Sequence, residues 1–127
     1  MKILFYSSKR EDHEIGERLK TLTLAERVEV YRSIEELVHG FYRLYDRDTI
    51  VLLQVRDREE LLRIVSLRDL LQGLRVILLI PDGEEETISL AHRLRPRFLG
   101  NSENDFSDTF SVLQKMLECG DNTSSIP

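Results

Sequence analysis

TIVLLQVRD, residues 49–57, is an apolar run that ends in Gln54 and passes through Val55 and Arg56 to Asp57. The run mixes β-branched residues with leucine and does not alternate with polar ones. That pattern predicts a strand covered on both faces, as in the middle of a parallel sheet. Asp57 stands three residues before Glu60, the spacing of a helix cap whose carboxylate takes up a free backbone N–H. A buried strand leading directly into a capped helix is one β-then-α unit.

The same unit recurs along the chain. KILFY (2–6), VEVY (28–31), RVILLI (75–80) and a weaker RFLG (97–100) are further strand candidates. Between them lie helical spacings: Ile34, Leu37, Val38 and Phe41, then Leu61, Ile64 and Val65. A final stripe carries Phe106, Phe110, Leu113 and Leu117. Ser8–Glu11, Ser33–Glu36 and Asp82–Glu85 repeat the capping interval, and Asp105 with Asp108 supplies a fifth helix start. Five alternations predict a (βα)5 doubly wound α/β domain. Its five-stranded parallel sheet has strand order 2-1-3-4-5 in a three-layer αβα sandwich. Pro96 blocks continuation of the helix before the last strand. The expected domain is residues 1–120, with a polar tail at 121–127 and no attached effector.

Composition narrows the class. The chain of 127 residues is 41% hydrophobic and 32% charged, with a net charge of −5. These values fit a folded globular domain and speak against a nucleic-acid partner, whose phosphates demand a basic face. No apolar run approaches the roughly 20 residues of a membrane span, and MKILFYSSKRED is too short in apolar residues for a signal peptide. The expectation is a cytoplasmic protein that does not contact membranes. The single cysteine, Cys119, rules out an internal disulfide. His13, His39 and His92 are scattered without carboxylate or cysteine neighbours at ligand spacing, so no metal is expected.

With KILFYSS, DTIVLLQVRDREELLRI, GLRVILLIPD and RPRFLGNSENDF in place, residues 1–120 resemble the receiver domain of two-component response regulators. The resemblance implies a phosphorylation pocket at the carboxyl ends of the strands. Such a pocket would have an acidic pair after the first strand to hold magnesium and an aspartate acceptor ending the third. A hydroxyl residue would end the fourth, and a lysine the fifth. Phosphoryl transfer needs that cation, acceptor oxygen and positive charge. By position the acidic pair falls on Ser7 and Ser8, the acceptor on Gln54, the hydroxyl on Ile80 and the lysine on Asn101. Every position departs from the pattern, so the resemblance implies a degenerate receiver. An amide is a poor nucleophile, and two serines lack the charge that attracts magnesium.

Two other readings stand beside this one. Asp57, with Asp12 and Asp82, could form an unconventional acidic site and accept phosphate, although helix capping already explains Asp57 and Asp82. A small ligand could sit at the sheet mouth, where Ser7–Arg10 precede a helix, although no glycine-rich loop is present. No catalytic constellation or cofactor motif appears, so the protein is expected not to be an enzyme and to carry no cofactor. The resemblance also implies a partner face around the last helix. Arg93 and Arg95, with Val112 and Met116 on a second stripe, are its candidate contacts for another signalling protein or a second copy. Val112 and Met116 could equally pack against a neighbouring helix. Tyr42 and Tyr45 are a weaker candidate pair.

Overall fold

The computed structural model describes residues 2–8, 17, 27–42, 49–101 and 107–118. Asp12, His13, Tyr45, Phe106 and Cys119 lie outside the described residues, as do the Ser8–Glu11 and Asp105–Asp108 pairs and the tail. The side chains of Asn101, Phe110 and Leu117 lie outside them too.

Among the described residues, strands β1 (Lys2–Ser7), β2 (Arg27–Tyr31), β3 (Thr49–Gln54), β4 (Arg75–Ile80) and β5 (Phe98–Asn101) alternate with α1 (Ile34–Tyr42), α2 (Arg58–Val65), α3 (Glu85–His92) and α4 (Ser107–Glu118). A 3₁₀ turn at Arg68–Leu71 leads from α2 toward β4 and buries Leu71. The strands form one parallel sheet in the order β2-β1-β3-β4-β5. This is the doubly wound arrangement expected from the sequence.

The alternation of side chains along each strand divides the core in two. Leu4, Tyr6, Val51, Leu53, Val76, Leu78 and Ile80 face α1, α2 and α3, and meet Leu37, Phe41, Leu61, Ile64 and Ala91. Ile3, Phe5, Ile50, Leu52, Ile77 and Leu79 form the opposite face and meet Leu113 of α4. Helices on both faces explain why every residue of β3 is buried, and why its sequence is a continuous apolar run.

The helix starts show which local signals hold. Ser33 Oγ accepts from Glu36 N at 3.1 Å, and Asp57 Oδ1 accepts from Glu60 N at 2.8 Å. In both, the glutamate reaches back one residue beyond the cap: Arg32 N donates to Glu36 Oε2 at 2.9 Å, and Arg56 N to Glu60 Oε1 at 3.0 Å. Asp82 behaves differently from the expected cap. Its Oδ1 accepts from Glu84 N at 3.0 Å, and α3 starts at Glu85 with Glu84 at the cap position, its side chain making no capping bond to the helix backbone. After Pro81 the short carboxylate closes on the amide two residues ahead, an Asx turn that delays the helix.

Candidate functional site at the carboxyl end of the sheet

The strand register decides which residues meet. Ser7 of β1 lies opposite Gln54 of β3, Gln54 lies opposite Leu79 of β4, and Ile80 lies opposite Asn101 of β5. Ser7, Gln54, Ile80 and Asn101 therefore share the carboxyl end of the sheet, with Ser8 one residue beyond. Ser7 is fully buried and Gln54 is 2% exposed. Gln54 Oε1 is buried with no hydrogen-bond partner among the described residues. The third strand thus ends in a neutral amide enclosed by the fold.

The hydrogen bonds of this end converge on a residue that the sequence presents only as a capping partner. Glu60, in the first turn of α2, is 6% exposed. Its Oε2 accepts from Ser8 Oγ at 2.8 Å, its Oε1 accepts from Arg56 N, and the Tyr6 hydroxyl also hydrogen-bonds to this carboxylate. Burial, the Glu60 charge and the Glu60 hydrogen bond push the Tyr6 phenol up to about 12, against smaller opposing effects of Ser8 and Arg63. Hydroxyls and a backbone amide thus surround this carboxylate. The knot ties the end of β1 to the start of α2.

A second fastening closes the rim between α2 and α3. Arg58 donates through Nε to Thr87 Oγ1 at 3.1 Å, through Nη1 to Glu86 Oε2 at 2.7 Å, and through Nη2 to Glu84 Oε2. Two of the three consecutive glutamates that open α3 therefore hold a guanidinium as well as favouring the helix dipole. Thr87 is fully buried, and its hydroxyl also bonds Asp82. That bond, the Glu84 amide and the Arg58 charge hold the Asp82 carboxyl below the ordinary aspartate range.

The remaining candidates take the following places. Asp57 spends Oδ1 on the Glu60 amide and Oδ2 on Arg56 Nε at 3.3 Å. Among the described residues, no group of three His, Cys, Asp or Glu side chains converges in a way that could hold a metal ion. Arg93 and Arg95 are exposed beyond the end of α3. Val112 and Met116 of α4 are half-buried and pack against the cluster that contains Ile3 and Phe5. Tyr42 is exposed. Among the described residues, no helix is long and apolar enough to cross a membrane.

The strand order, with helices on both faces and its loops converging at one sheet end, defines a doubly wound α/β protein of the flavodoxin-like kind. No protein-family model matches the chain, and no curated protein matches its sequence. Among solved structures, the fold is similar to that of a protein from Burkholderia pseudomallei K96243 described as pilus assembly-related. The TM-score is 0.70 at 20% identity, over 93% of this chain and 90% of that one. At that identity the likeness shows the fold.

Proposed function

We propose that this chain is a degenerate receiver-like signalling domain that acts by binding another protein, or a second copy of itself, without aspartyl phosphorylation. The observation that carries this reading is Gln54, a buried amide beside Ser7 where an acceptor carboxylate would stand. An amide oxygen gives no acyl phosphate under the mild conditions in which a carboxylate does. The buried carboxylate at this end, Glu60, is enclosed by its own donors. The protein is accordingly a recognition module, neither an enzyme nor a carrier of a cofactor. Its partner face includes the half-exposed Val112 and Met116. The similar protein's description makes pilus-assembly components the first partners to test.

The test has two arms. Incubation with acetyl phosphate and magnesium, followed by intact mass measurement, is expected to leave the mass unchanged. A phosphoryl adduct that disappears in Asp57→Asn would overturn the reading in favour of an acceptor at Asp57. Capture from the source-cell lysate with wild-type bait is expected to retain a protein that Met116→Glu bait, folded by circular dichroism, releases. Retention by both baits would remove the α4 face from the proposal.

A further inference from the structure

At the opposite end of the sheet, where β4 and β5 begin, a cavity of about 460 Å³ opens between the 3₁₀ turn and the segment after α3. Among the described residues, its wall carries three arginines, Arg68, Arg93 and Arg95, and one acid, Asp69, over a floor that includes the buried Leu94. In a chain of net charge −5 this is a local excess of positive charge. Among the described residues, none of the three guanidiniums has a carboxylate within salt-bridge distance, although Asp69 lines the same cavity. Arg58, by contrast, takes two glutamates.

The backbone supplies an independent sign. Arg95 has a φ of 50°, and among the described residues it is the non-glycine residue with a positive φ. It sits just past the end of α3, where glycine is the usual occupant because a Cβ costs about 1 kcal/mol or more in that conformation. The next residue is Pro96, which further disfavours helical backbone at Arg95. A cationic side chain thus stands where glycine would be easier, and it lines the cavity.

We propose that this cavity is an anion-binding site for a compact phosphate- or carboxylate-bearing small molecule. Its volume lies in the range of small-ligand pockets. Guanidinium groups grip such oxygens in pairs. Among the described residues, no aromatic side chain lines the cavity to stack a nucleobase. The ligand chemistry is therefore that of the anionic group itself. The site lies at the other end of the sheet from Gln54, its lining does not include Val112 or Met116, and it does not depend on the receiver-like reading.

Inorganic pyrophosphate is the probe, followed by backbone amide NMR at constant ionic strength. Saturable shifts at residues 68–74 and 93–97 are expected, with affinity falling about tenfold or more in Arg68→Gln, since a hydrogen bond to a charged group is lost. Arg95→Gly removes a cation while relaxing the backbone, so it is expected to weaken binding in a protein at least as stable as wild type. Shifts equally produced by sodium chloride, or affinity unchanged in both variants, would overturn the proposal. Saturation by a hexaglutamate peptide but not by pyrophosphate would also overturn it, in favour of an acidic protein segment.

Discussion

Removing one oxygen tests the knot at the sheet mouth: Tyr6→Phe. The phenol is raised from its ordinary value near 10 to about 12 by burial and by the neighbouring Glu60 carboxylate. Because the folded value lies above the unfolded one, the neutral phenol's contribution is fully present below pH 10. It is lost as pH rises through 12. The shift of about 2 units corresponds to about 2.7 kcal/mol, of which about 1.4 kcal/mol is lost by pH 11. At pH 8, Tyr6→Phe is expected to be less stable by about 1.5–3 kcal/mol, the worth of a hydrogen bond to a charged acceptor. Urea unfolding of both proteins from pH 8 to pH 11 gives the comparison. The other tyrosines titrate in both and cancel in the difference, so the gap should narrow by about 1.4 kcal/mol over that interval. A gap that stays constant across the range would show that Tyr6 does not sense the Glu60 carboxylate, and the knot would have to be abandoned.

Gln54→Leu removes the buried oxygen that has no donor while filling a similar volume. It should raise the free energy of urea unfolding by about 1–3 kcal/mol, and a loss would reveal a partner for Oε1. Gly40→Ala places a Cβ 2.7 Å from Cζ and the hydroxyl oxygen of Tyr31, whose hydroxyl is tied to Glu29 at 2.5 Å. Overpacking of about 1–3 kcal/mol then outweighs the roughly 1 kcal/mol that alanine gains in a helix. A net loss of about 1 kcal/mol is expected on thermal unfolding, and an unchanged midpoint would show that the ring yields.

Much of this architecture is legible in one dimension because its causes are local or periodic. β3 and β4 read directly as strands because both faces are covered, so nothing polar interrupts them before Gln54. Ser33 and Asp57 read as caps because their acceptors lie three residues away. Asp82 has the same spacing but closes on a nearer amide, since Pro81 and Gly83 shape a turn that the interval to Glu85 does not encode. The positions named for the mouth, Ser7, Gln54, Ile80 and Asn101, do assemble there, because parallel strands end together. Glu60 was hidden for a different reason. Its role depends on Ser8, 52 residues earlier, and on Tyr6. Arg58 likewise meets partners 26 to 29 residues further on. Neither distance leaves a periodic trace.

The two fastenings at the mouth differ in how they meet the solvent. The Arg58 clamp holds Glu84 and Glu86, whose side chains are 68% and 80% exposed, while Glu60 is almost wholly enclosed. Mobile ions reach the first and hardly reach the second. The rim over α3 is therefore tuned by ionic strength, whereas the join between β1 and α2 keeps its grip in brine as in dilute buffer. One end of one small sheet thus has one side whose ion pairs are open to the medium and another largely shielded from it.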